Sequence, residues 1–167
     1  YSVSPFEATD LYDGRHTYIY GASITDIEEP RKVLGGIGIV FDSEPQFAAM
    51  LEDSLPRDDS GNVSAGCFGV FTDRERMIIS STDNEHQVGQ QLDIEQEFFS
   101  LKNGQKTSRI IEYHGQYYAV GACTSSGYRE YKTNDNYAND VIALVFIPLA
   151  EISAFNIKVA RRREVSM

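Results

Sequence analysis

Apolar positions along the chain fall into short runs broken by polar or glycine-containing stretches. Most runs are four to eight residues long, the length of strands. Strands are predicted at 36–41 (GIGIVF), 67–72, 77–82, 108–113, 117–124 and 142–147 (IALVFI). Asp73–Arg76 and His114-Gly115 are polar breaks of hairpin length between neighbouring runs. Over 44–55 the period changes, and Phe47, Met50, Leu51 and Leu55 fall on one helical face. Ser43 can cap that helix and Pro45 suits its first turn. Pro56 and the polar stretch 57–62 end it. A less regular helical pattern runs from Val88 through Leu92, Phe98, Phe99 and Leu101, with Asn103-Gly104 marking its end.

Two stretches of the chain resemble one another. Residues 12–23 (YDGRHTYIYGAS) and 113–124 (YHGQYYAVGACT) each carry Tyr-x-Gly, an aromatic strand, then Gly-Ala and a small residue. Each continues through a polar loop into a second apolar strand, 36–41 in one copy and 142–147 in the other. Before the second copy lie two more strands and the 88–101 pattern, whereas only a short stretch precedes the first. The expected organisation is a trailing half-lobe with a connecting helix at 1–56, a linker at 57–66, a complete lobe at 67–150 and an exit segment at 151–167. One continuous sheet of six or seven strands is the alternative. The run Gly35-Gly36-x-Gly38 lies within a strand, without the helix start a phosphate loop requires, and fits close backbone packing.

Composition narrows the function. With 41% hydrophobic residues the chain can bury a core. A net charge of −10 opposes a nucleic-acid partner. No apolar run approaches the roughly 20 residues that span a bilayer, and the first residues lack a signal-peptide pattern. The start without Met leads us to expect a piece of a longer protein. Cys67 and Cys123 lie in apolar runs and read as buried free thiols. His16, His86 and His114 stand in polar contexts away from metal-ligand spacing. Cys123 has no clear activating base, so no enzyme and no cofactor is expected. Asp73, Arg74, Glu75 and Arg76 read as a solvated turn.

The stretch CFGVFTDRERMIISSTDNEHQVGQQL at 67–92 resembles the opening of a Cache lobe, a PAS-like sensor fold. The positions that carry the likeness are Asp73, Ser80, Ser81, Thr82, Val88, Gly89 and Leu92. DVIALVFIPL at 140–149 resembles the strand leading out of such a lobe. GGIGIVFDSEPQFAAML at 35–51 resembles the end of a membrane-distal lobe crossing into a proximal one, as in double-Cache sensors of bacterial chemotaxis and signal-transduction proteins. The resemblance implies an α+β fold: an antiparallel five-stranded sheet with flanking helices, preceded by a partial second lobe. It also implies a small-molecule sensor acting on an output domain in the same polypeptide, usually on the extracytoplasmic side. The long N-terminal helix of double-Cache sensors and most of a first lobe are missing. With no Trp in the chain, the Trp-containing amino-acid motif of some Cache domains does not transfer.

In such a sheet GYREYKTNDNYAND at 127–140 joins the last two strands. Arg129 offers a forked donor to a carboxylate and Asp135 an acceptor to an ammonium group. Tyr128, Tyr131 and Tyr137 would close over a ligand with apolar faces and polar tips. An amino acid, amine or carboxylate fits that chemistry. Tyr117 and Tyr118 face opposite sides of their strand, and Tyr118 is taken as the one lining the cavity. The other readings of the tyrosine stretch are a solvated hairpin loop or a homodimer contact. A ligand-free dimerisation or interaction module is thus the alternative function.

Overall fold

The computed structural model describes residues 2–102, 104–124 and 141–149. In chain order the strands are β1 (Ser2–Val3), β2 (Glu7–Ala8), β3 (His16–Thr17), β4 (Ile19–Thr25) and β5 (Val33–Val40). Helix α1 (Ser43–Ser54) follows, then β6 (Phe68–Thr72), β7 (Ile78–Ser81), β8 (Lys106–Tyr113), β9 (Gln116–Thr124) and β10 (Ile142–Pro148). They form a three-stranded sheet β1-β4-β5, a ribbon β2-β3 and a five-stranded sheet β7-β6-β10-β9-β8. Every pairing is antiparallel. Among the described residues no strand pairing joins the sheets, unlike the continuous-sheet alternative.

The five-stranded sheet sets its first strand, β6, beside its last, β10, at the centre. On one face Phe68, Val70, Ile111, Val120, Ala122, Ile142, Leu144 and Phe146 are buried under Leu92, Ile94, Phe98 and Phe99. On the other face α1 crosses β6, with Leu51 and Leu55 lying against Gly69. A Cβ at Gly69 would stand 3.2 Å from Leu51 Cδ2, so the helix sits as low as it does because that residue has no side chain.

The internal repeat is visible in the backbone. Asp13 and Gly14 have φ of 55° and 74°, and His114 and Gly115 have φ of 49° and 79°. Both copies therefore turn through a pair of left-handed residues before a strand that pairs antiparallel with the next.

Several expectations are corrected. The 88–101 pattern is not a helix: it is irregular chain with a short 3₁₀ turn at Gln96–Phe99. Its start runs along the open edge of β7 instead. Gly89 N donates to Ile78 O, Ile78 N to Gln90 O and Leu92 N to Arg76 O. Gly89 has φ of 84°, outside the helical region. The cap of α1 falls on Asp42, whose carboxylate receives the Tyr12 hydroxyl and makes no capping hydrogen bond. Met50 is 55% exposed, because the helix rests on Phe47, Leu51 and Leu55.

The charged turn is not solvated throughout. Arg74 Nη1 donates to the carbonyls of Phe99 and Leu101, and Arg76 to Gln96 Oε1, tying the covering segment to the sheet. Asp73 Oδ1 accepts from Met77 N, and burial pushes its carboxyl above the usual range. Cys67 and Cys123 are free thiols, but Cys123 is exposed, since alternation along β9 turns it to the face opposite Val120 and Ala122. A Cβ at Gly35 or Gly38 would meet nothing within 4 Å, and one at Gly36 only the Ala22 carbonyl at 3.5 Å, an ordinary contact, so close packing does not require the glycine run.

Candidate functional site

At one end of the five-stranded sheet an open cleft of about 400 Å³ is lined by residues of β6, β8, β9 and the turn after β7. Its walls carry Phe68, Asp83, Glu85, His86, Tyr113 and Tyr118. Register explains the convergence. Phe68 begins β6 opposite Phe146, Tyr113 ends β8, and Tyr118 follows the hairpin turn to pair with Ile111 and Pro148. A larger depression of about 560 Å³ at the tip of the β4–β5 hairpin is bounded only by Glu29, Pro30, Arg31 and Lys32. It gathers no side chains from separate elements, so the smaller cleft is the candidate site.

His86 is the centre of the cleft wall and is only 8% exposed. Asp83 Oδ1 accepts from the backbone N–H groups of Glu85 and His86, closing a turn that aims the imidazole inward. His86 Nδ1 lies 2.8 Å from both carboxylate oxygens of Asp83, and Nε2 lies 2.8 Å from the Tyr113 hydroxyl. The ring stacks on Phe68 at 4.8 Å, and Phe68 stacks on Phe146 at 4.3 Å. Tyr118 stands nearly perpendicular to Phe68 and Phe146, and Tyr113 stacks on His114 at 4.1 Å. Burial pushes the Tyr113 phenol above its ordinary value, and the carboxylates of Asp83, Asp93 and Glu85 add to the shift. Cys67 is half-buried, and that burial pushes its thiol up.

Of the residues singled out in the sequence, Tyr118 lies on this cleft. Tyr128, Arg129, Tyr131, Asp135 and Tyr137 lie outside the described residues. The strand ends flanking them, Thr124 and Ile142, pair at the far end of β9 from Tyr118, about 20 Å along at 3.3 Å per residue. His114 and Cys123 are likewise at opposite ends of the β8–β9 hairpin, where Cys123 pairs with Lys106. Sequence reasoning missed Asp83, His86 and Tyr113. The local signal is Asp-x-x-His in a turn, but the burial comes from β6 and β8, which sequence spacing does not reveal.

No family model matches the chain, and no curated protein matches it. Two solved structures do. One is the ligand-binding domain of Mlp24 with asparagine, 14% identical, with a TM-score of 0.51. The other is the extracellular domain of a candidate histidine kinase, rpHK1S-Z16, 7% identical, with a TM-score of 0.52. The chain shares their fold. The matches cover 87% and 86% of this chain but 50% and 52% of those domains, so it spans about half of each.

Proposed function

We propose that the chain is a Cache-like, small-molecule sensing part of a bacterial signal-transduction protein, double-Cache in type, without catalytic activity. The observation that carries this reading is the aromatic cleft on the covered face of the five-stranded sheet, where apolar rings and a few oriented polar groups converge. The shared fold with a ligand-binding domain and an extracellular domain supports it. On this reading residues 67–150 are the complete lobe, and 1–56 are the trailing half of a preceding lobe with its connecting helix. Residues 57–66 are the linker, and 151–167 lead to an output domain on the other side of a membrane. Ligand binding shifts a two-state equilibrium by no more than its differential affinity for the two states. The tyrosine stretch 127–140 remains a proposed second contact, through Arg129 and Asp135.

A thermal-shift screen of the whole chain against amino acids, amines, organic acids, purines and sugars tests the reading. A hundredfold excess over Kd stabilises by about 2.7 kcal/mol, which is on the order of 5–10 °C for a chain of this size. A shift for one class, lost in Tyr118→Ala or Arg129→Ala, supports a sensor and says which contact binds. No shift anywhere rejects it.

One observation favours the interaction-module reading. Val3, Tyr20, Ala22, Ile24, Ile37 and Ile39 share a face of the three-stranded sheet, and Ile37 and Ile39 are each 57% exposed. Sedimentation across a concentration series separates the two. Self-association that Ile37→Ser abolishes, without any ligand response, favours the module.

A further inference from the structure

We propose that the outer edge of β5 is an interface for a second copy of this chain, the two β5 strands pairing antiparallel about a two-fold axis at Ile37. The inference goes beyond the sensor reading and holds whether or not the cleft binds a ligand. The internal repeat marks this edge as a strand acceptor. β5 stands to β4 as β10 stands to β9, since Gly21 pairs with Gly38 where Gly121 pairs with Val145. Ile37 then takes the place of Leu144, and Ile39 that of Phe146. Leu144 and Phe146 are fully buried, on a strand whose other edge is taken by the antiparallel β6. Ile37 and Ile39 are each 57% exposed, and among the described residues β5 pairs with β4 alone. An exposed edge strand of eight residues, VLGGIGIV, with no charge and no proline, is a template for a further strand.

The backbone and side chains of that edge suit its own copy. Phe41 N donates to Tyr18 O, and the register continues through Tyr20–Ile39 and Ala22–Ile37. Alternation therefore turns the amides of Gly36, Gly38 and Val40 outward. A two-fold axis at Ile37 uses every residue from Leu34 to Val40. Between copies it pairs Gly36 with Gly38, Gly35 with Ile39 and Leu34 with Val40, and Ile37 with itself. Ile39 then faces a residue without a side chain, and the apolar face of Tyr20, Ala22, Ile37 and Ile39 continues across the axis. The ends are complementary as well. Arg31 and Lys32 precede the strand and Asp42 follows it, so antiparallel pairing brings the basic end of each copy to the acidic end of the other. Lys32 also lies 3.8 Å from Asp26, and Asp42 receives the Tyr12 hydroxyl, so these charges select register and partner more than they add affinity.

Sedimentation of the whole chain over a concentration series tests this, at physiological salt, where the net charge of −10 is screened. The expected result is a reversible dimer. Gly36→Pro removes an outward amide and leaves the apolar face intact, and should weaken the dimer at least tenfold with circular dichroism unchanged. Ile37→Lys, at an exposed position, places like charges opposite each other and should do the same. In a Cys67→Ser, Cys123→Ser background, Ile37→Cys should cross-link on oxidation, because residues opposed in this way stand about 4.5 Å apart, within disulfide reach. Ile39→Cys, displaced along the strand from its own copy, should not. A chain that stays monomeric throughout overturns the proposal and gives the edge to a different strand. A dimer that withstands Gly36→Pro overturns the edge pairing and gives association to the apolar face. Cross-linking of Ile39→Cys but not of Ile37→Cys overturns the two-fold axis at Ile37.

Discussion

At the scale of single residues, polar groups are buried where a partner stands opposite, and the exceptions show what that is worth. His86 has a carboxylate on one nitrogen and a phenol on the other. Tyr113→Phe keeps the ring and removes the hydroxyl, leaving Nε2 without its partner. We expect a loss of about 1–2 kcal/mol at neutral pH in chemical denaturation. The same variant changes the alkaline limb. Because burial raises the Tyr113 value, the folded protein holds that proton more tightly than the unfolded chain. Stability present below about pH 10 is therefore lost as pH rises through the folded value. Tyr113→Phe should show a shallower fall in stability above pH 10 than the wild type; equal slopes would mean that Tyr113 does not titrate in the fold as argued. Thr72 is the contrasting case. It is fully buried on β6, and its Oγ1 has no hydrogen-bond partner among the described residues. Thr72→Val, nearly isosteric, should raise the melting temperature, by about 1 kcal/mol of stability. A loss would reveal a hidden partner for the hydroxyl. Neither group was legible in the sequence, because Asp83, His86 and Thr72 look like ordinary turn and strand residues until distant strands close over them.

At the scale of elements, strand runs and their breaks were readable because alternation and turn chemistry are local. The pair His114-Gly115 turns with two positive φ values, and the strands on either side follow in register. Covering segments were less readable. The 88–101 stretch has the apolar content of a helix, but the free edge of β7 offers its backbone partners that a helix would forgo. Its apolar residues Leu92, Ile94, Phe98 and Phe99 then reach the sheet from extended chain. Helix α1 was readable in place, though not in which side chains it buries. Its seat depends on Gly69, where any side chain would press on Leu51 and Leu55. Gly69→Val should destabilise the fold by about 1–3 kcal/mol by overpacking, seen as a lower denaturant midpoint. A neutral result would mean that the helix can lift without cost.

At the scale of the whole molecule, aromatic rings join the two sheets among the described residues. Phe47 of α1 meets Tyr18 and Phe41 on the three-stranded side, at 6.4 and 5.8 Å. It meets Phe71 of the five-stranded sheet at 5.7 Å. A second contact sets the His16 ring against Gly89, where a Cβ would stand 3.0 Å from the imidazole. The five-stranded sheet has its own buried cluster, whereas every residue of β5 is exposed. We therefore expect the three-stranded sheet to depend on Phe47, and a change there to act on coupling more than on the larger core. Phe47→Ala is expected to cost about 2–4 kcal/mol, somewhat less than for a fully buried phenylalanine. Hydrogen exchange should show the loss unevenly, with amides of β4 and β5 exchanging far faster and those of β6, β9 and β10 nearly unchanged. Uniform acceleration across both sheets would mean that the chain unfolds as one unit and that this ring does not couple two parts of separate stability.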